Sequence, residues 1–290
     1  GTDFYSDFRE EIAPGPIDAN DEFPLNTLGF LLHTHIRSRI INSNFYAQVD
    51  KSFNERFSAT LRLGHELMQQ DRNSSEMRGD EFEIPRFFHM SNTKQITTIQ
   101  DIYQRRLVGA YGDLSLNFDD FLYLNVTGRN DWTSTLSANN RSFFYPSVSM
   151  SFIFNDILNL PAALSYGKLR ASYGEVGKDT DPYLTSTVYT LGTGFPVNGI
   201  LGYSRDDRLG SPNLKPERMS TIEFGTDLNF FENRLGLELT WYKSNARDQI
   251  FSVPVSEATG YPEIITNVGE IENKGLELIL SGTPMVTGAF

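Results

Sequence analysis

The chain contains no cysteine. That excludes disulfide frameworks, thiolate metal sites and cysteine nucleophiles. It contains no run of about 18 apolar residues, so no helix of the usual kind crosses a membrane. It is short of positive charge: 25 Lys and Arg stand against 37 Asp and Glu, a net charge of −12. A nucleic-acid partner is therefore not expected, because such a protein needs a basic surface to displace counterions from phosphate. Helical periodicity is nearly absent. No phosphate-binding glycine loop and no paired carboxylates of defined spacing stand out, and neither an enzyme nor a bound cofactor is expected. No leader is visible and the first residue is Gly1. A chain derived from a longer one is expected, so the missing leader says nothing about export.

What the sequence does have is aromatic residues and alternation. Among 290 residues are 22 Phe and 13 Tyr. Ile222, Phe224, Leu228 and Phe230 alternate with Thr221, Glu223, Asp227 and Asn229. A short turn follows, and Leu235, Leu237, Leu239 and Trp241 alternate with Gly236, Glu238, Thr240 and Tyr242. The same period of two runs through residues 45–53, 57–64, 108–118, 122–127, 144–154, 169–174 and 276–280. Period two means strands with one apolar and one polar face. Roughly nine or ten strands are expected, many of about 10–12 residues. Ten residues at about 3.3 Å each, tilted by about 40°, give an apolar band near 25 Å tall, the height of a bilayer.

The connections alternate too. Short turns at Asn54-Glu55, Asp119-Asp120 and Glu232-Asn233, with a medium one from Asn155 to Ala163, alternate with long polar loops at 71–95, 130–141, 175–217 and 247–267. A transmembrane barrel has short turns on one rim and long loops on the other. Closing a sheet into a barrel also pairs every backbone group without helices. The fold expected is all-β, part of an antiparallel transmembrane barrel. A soluble sandwich, its apolar faces packed on each other, is the alternative.

Several short patterns carry possible chemistry. Ser165-Tyr166-Gly167-Lys168 matches the S-x-x-K of serine acyl enzymes, but on a strand positions three apart face opposite ways. His33-Thr34-His35 puts two imidazoles on one strand face without a third ligand nearby, and no metal site is expected. Asp206-Asp207, Asp80, Glu81 and Glu83 lie in expected loops without the spacing of a calcium loop and read as solvated charge. Arg129, Asn130, Asp131 and Trp132 lie where a strand leaves the barrel rim. Trp132 there suits an interfacial anchor, a stacking platform for a sugar or peptide, or plain loop packing.

At the segment Asn213-Leu214-Lys215-Pro216-Glu217, opening a long alternating strand, the sequence resembles many TonB-dependent outer-membrane receptors. Pro216 holds Lys215 extended. The segments at 105–132, 141–154, 164–178 and 267–280 narrow the resemblance to the SusC/RagA family. That resemblance implies an outer-membrane protein of a Gram-negative bacterium. It implies that residues 1–290 form part of a larger plugged barrel of about 22 strands, with the plug and N-terminal domain lying outside this chain. Implied partners are a SusD-like surface lipoprotein, the TonB complex acting through the plug, outer-membrane lipid, and an oligosaccharide or peptide substrate. Lid or ligand contacts are expected in loops 175–217 and 247–267, and more weakly at Arg129, Asn130, Asp131 and Trp132. A passive porin, a siderophore receptor and a soluble secreted glycan-binding sandwich are the competing functions.

Overall fold

The computed structural model describes residues 1–14, 29–155, 157–158, 161, 163–191, 197, 200 and 202–283. Its strands, in chain order, are β1 (Thr2–Pro14), β2 (Gly29–Ser52), β3 (Phe57–Phe82), β4 (Thr93–Phe118), β5 (Leu122–Thr133), β6 (Ser142–Ile153), β7 (Leu164–Lys178), β8 (Tyr189–Leu191), β9 (Tyr203–Arg205), β10 (Arg208–Leu209), β11 (Glu217–Phe230), β12 (Leu235–Arg247), β13 (Ile250–Pro254), β14 (Glu263–Asn267) and β15 (Glu270–Gly282). Single-turn 3-10 helices cover Met90–Asn92 and Glu257–Thr259. Ten strands form one sheet in the order β1-β2-β3-β4-β5-β6-β7-β11-β12-β15. The five remaining strands lie in the long connections, as a three-stranded sheet β10-β14-β13 and a pair β8-β9.

The short turns are where alternation puts them. Asp119 and Asp120 both take positive φ, 52° and 57°. This is the backbone of a two-residue hairpin whose twist matches the strands it joins. Asn117 Nδ2 donates to Asp120 Oδ1 at 2.7 Å and fixes the corner. At the β2–β3 turn, Asn54 Oδ1 accepts from the backbone N–H of both Arg56 and Phe57.

Several loop boundaries need correction. The loop expected at 71–95 is strand at both ends, because β3 continues to Phe82 and β4 begins at Thr93. The loops expected from 130 and 175 begin only after Thr133 and Lys178. The loop at 247–267 contains β13 and β14. Strand β1 and the first half of β2 were not legible as alternation. Residues 156, 159, 160 and 162 of the medium turn, and 192–196, 198, 199 and 201 of the longest loop, lie outside the described residues.

The chain divides into two units, residues 1–43 with 67–106 and residues 44–66 with 107–290. In the first, β1 pairs with β2 from Thr2 opposite Ile41 to Pro14 opposite Gly29. Its strands are tied by polar side chains: Arg39 Nη2 lies 2.6 Å from Asp71 Oδ2, Gln100 Nε2 donates to Asn73 Oδ1 at 3.0 Å, and Arg106 Nη2 donates to Gln69 Oε1 at 2.8 Å. Strands β2, β3 and β4 have 24, 26 and 26 residues, more than twice the roughly ten that cross a bilayer.

The second unit carries the two-faced pattern. Register places Leu122, Leu124 and Val126 opposite Phe152, Met150 and Val148, and Leu228 opposite Leu237. Among the described residues no protein core covers this apolar face: Phe144 is 54% exposed and Leu276 66%. A soluble protein hides such a continuous surface, whereas a barrel presents it to lipid. The buried apolar cluster of this unit lies in the connections instead, where Leu136, Leu214 and Ile265 pack together with Leu184 and Ile250 against them.

Candidate functional site

The opposite face of the second unit is a hydrogen-bonded polar wall. Alternation along β5 brings Asn125, Thr127, Arg129 and Asp131 to it. Asn125 Nδ2 donates to Asp113 Oδ2 at 3.0 Å and to Ser115 Oγ at 2.8 Å. Arg129 is the hub. Its Nε lies 2.8 Å from Asp131 Oδ1 and its Nη1 lies 2.7 Å from Glu66 Oε2. The Tyr145 hydroxyl donates to Asp131 Oδ2. Asp131 is only 3% exposed, so its charge depends on these partners.

Glycine makes room for the hub. A Cβ on Gly109 would meet Asp131 Oδ1 at 2.5 Å and Arg129 Nη2 at 2.6 Å. A Cβ on Gly64 would meet the Tyr111 ring at 2.5 Å. Large side chains thus lie flat against the wall. Beside them opens a cavity of about 490 Å³ whose lining includes Arg62, Glu66, Tyr111, Arg129 and Tyr145. Arg62 donates to Gln48 Oε1 at 2.9 Å and sits 5.5 Å from the Tyr46 ring centre. Charged donors, carboxylates and phenol rings on one wall can hold a polar solute by hydrogen bonds and stacking.

The expected group at 129–132 is divided by the pleat. Arg129 and Asp131 face the cavity wall. Asn130 and Trp132 face the other way, with Asn130 Nδ2 donating to Ser142 Oγ at 3.0 Å and Trp132 42% exposed. All four lie within β5, not at the start of a loop. Sequence reasoning missed Glu66 and Tyr145. Each has the polar-face parity of its strand, but Glu66 is 63 residues from Arg129, and only the register joins them.

The segment 213–217 is a strap between connections. Leu214 is fully buried. Asn140 Nδ2 donates to the carbonyls of Asn213 and Leu214. The Lys215 N–H donates to Asn267 Oδ1 at 2.8 Å, and Asn267 Nδ2 donates back to the Lys215 and Asp248 carbonyls at 2.9 and 2.7 Å. Pro216 is buried, and Glu217 Oε1 accepts from the Ile250 N–H at 2.9 Å. The motif residues therefore organise the loops above β11. Close by, buried Thr133 and Thr135 both donate to Asp179 Oδ2, at 2.5 and 3.1 Å.

The other patterns are taken up by local partners. His33 Nε2 lies 2.9 Å from Glu10 Oε2 and His35 Nε2 lies 3.2 Å from Ser6 Oγ. Asp80 pairs with Arg78, and Glu81 with Lys94. Asp206 accepts from the Arg208 backbone N–H, and that bond with the nearby guanidinium holds its carboxyl below the usual carboxylate range. Among the described residues no group of three or more His, Asp or Glu is gathered to hold a metal ion. Ser165 Oγ accepts from the Glu232 N–H, and Lys168 lies 3.5 Å from Asp227.

Comparison with known proteins places this geometry. The TonB dependent receptor-like, beta-barrel family model matches residues 3–289. TonB-dependent receptor P26 of Formosa agariphila is 28% identical over 244 residues, 82% of this chain and 24% of that protein. TonB-dependent receptor SusC of Bacteroides thetaiotaomicron is 26% identical over 192 residues, 63% of this chain and 19% of that protein. The chain thus spans about a quarter or less of the curated relatives' length. The solved RagAB peptide transporter shares the fold, with a TM-score of 0.86 at 24% identity over 98% of this chain and 32% of that one. With its apolar face, polar wall and rim of long loops, the chain belongs to the TonB-dependent receptor β-barrel family and forms barrel wall in the outer membrane of a Gram-negative bacterium.

Proposed function

We propose that this chain is part of the barrel of a TonB-dependent importer of oligosaccharides or peptides. In this reading a SusD-like lipoprotein covers the loops, and energy arrives from TonB through a plug outside this chain. The observation that carries the proposal is the polar wall around Arg129, with its cavity and flat-lying tyrosines, in a family member whose relatives are named receptors. Arg129 and Asp131 are proposed as wall residues along the solute path. Trp132, on the opposite face, is proposed as a membrane-interface anchor and not a ligand platform, and Asn130 as its polar neighbour. The loops 175–217 and 247–267 are proposed to meet the lid. The wall's role is binding and passage without catalysis. RagAB is described as a peptide transporter, which favours testing peptides beside glycans.

The test is uptake of fluorescent oligosaccharides and oligopeptides by cells expressing the full-length receptor with its neighbouring lipoprotein. Uptake of one class that ends on adding a protonophore supports the importer. Uptake unaffected by the protonophore points to a porin. Growth loss confined to iron limitation points to a siderophore receptor.

A further inference from the structure

The outward face of β11, β12 and β15 changes character within one step of the pleat. Phe224 and Trp241 stack with ring centres 6.0 Å apart, and their cross-strand neighbours are Ala171 and Leu276. Two residues further from the short turn, Lys243 and Lys274 are direct cross-strand partners. Alternation keeps both on the face of Trp241. Like charges directly opposite weaken pairing. A single carboxylate serves both: Glu272 Oε2 lies 2.9 Å from Lys243 Nζ, and Oε1 lies 3.4 Å from Lys274 Nζ. One positive charge is left in excess at this pair. Arg218 and Arg247 face each other across the same strands nearer the loops, with Arg218 reaching Glu175 at 3.5 Å. The lysine side chains are 43% and 69% exposed. Glu270 stands opposite Arg247, so the arginine pair is matched by two carboxylates and the excess positive charge of this face lies at the lysine pair, in a chain whose net charge is −12.

Depth supplies the occupant. Aromatic rings on a barrel's lipid face sit at the level of the headgroups. Ammonium groups about 7 Å further along the strand are at the depth of headgroup phosphate. We propose that Lys243 and Lys274 bind the phosphate of a phosphorylated glycolipid in the outer leaflet, with Trp241 and Phe224 at the boundary between its headgroup and its acyl chains. Phosphate oxygens accept charge-assisted bonds from both ammonium groups, and the bound anion relieves the repulsion that Glu272 only half offsets. This lipid site is independent of which solute the barrel carries, though it rests on the membrane placement of the face.

The experiment uses the full-length receptor extracted from outer membranes in mild detergent. Retention of added phosphorylated glycolipid, and of the same lipid with its phosphate removed, is read by native mass spectrometry. Lys243→Gln with Lys274→Gln is expected to weaken retention about thirtyfold, and Lys274→Gln alone about fivefold. The double change to arginine is expected to keep it. Heat-dependent gel mobility shows whether each variant is folded, and should the double variant fail, the exposed Lys274→Gln decides. Equal retention by the folded glutamine variants overturns the proposal. So does equal retention of the dephosphorylated lipid by the unaltered receptor, since the aromatic row alone would then hold it.

Discussion

Replacing Arg129 by methionine in the full-length receptor is expected to destabilise the barrel by on the order of 3 kcal/mol, because it leaves a buried carboxylate without its cation. Asp131 would keep only the Tyr145 hydroxyl among the partners described above. Methionine fills similar space, so the loss is electrostatic and not a cavity. Two companions separate this cause from others. Adding Asp131→Asn should recover most of the loss, since a neutral amide needs no cation. Arg129→Lys should recover only part, since an ammonium cannot span Glu66 and Asp131 as the guanidinium fork does. The readout is the temperature at which the folded band is lost on a gel, with solute uptake measured beside it. If Asp131→Asn does not rescue, the hub is not held together by charge.

The second large effect belongs to the strap. Leu214→Ala removes a fully buried side chain from the cluster with Leu136 and Ile265, at a cost of about 2–5 kcal/mol. The loss is expected to fall on the loops and not on the strands beneath. Protease added to intact cells should then cut within 179–216 and 248–269 much faster, while the barrel's melting temperature stays near its original value. Asn267→Ala should produce the same loop-specific result, because it withdraws all three bonds that join Lys215 and Asp248. The two changes act on one strap, so their effects should not add. A lowered barrel melting temperature with loops still resistant would show that the motif serves the strands.

The legible parts of this fold are those that lipid constrains. Where one face is apolar, as in Ile222 to Phe230 or Leu235 to Trp241, strand, face and turn all follow from the alternation. The missed strands are those with no such contrast. Gln69, Gln70, Asp71, Arg72 and Asn73 are polar at every position, and from Asp71 onward the sequence reads as a loop, yet all five lie within β3. Their hydrogen bonds are made across strands, by Arg106, Arg39 and Gln100. Water on both faces removes the period without removing the ladder. The site was half legible for a related reason. Asp131 and Arg129 are near neighbours in sequence, but the pleat that joins them also sends Asn130 and Trp132 to the other face. Glu66 and Tyr145 arrive by register, which no local pattern records. The role of Leu214 was hidden by its polar surroundings. A buried cluster built from single apolar residues in three connections has no periodicity to display.

One face of these strands meets lipid and the other a water-filled interior. This chain has no cysteine of its own, and any cysteine elsewhere in the receptor is first replaced by serine. Single cysteines placed in turn along β12, from Leu235 to Ser244, would carry a nitroxide spin label in the full-length receptor in liposomes. Collision with oxygen reports lipid, and collision with a polar nickel complex reports water. Strict alternation is expected, with oxygen contact high at Leu235, Leu237, Leu239 and Trp241 and nickel contact high at Gly236, Glu238, Thr240 and Tyr242. Nickel contact rising at every position, or the absence of any alternation, would contradict it.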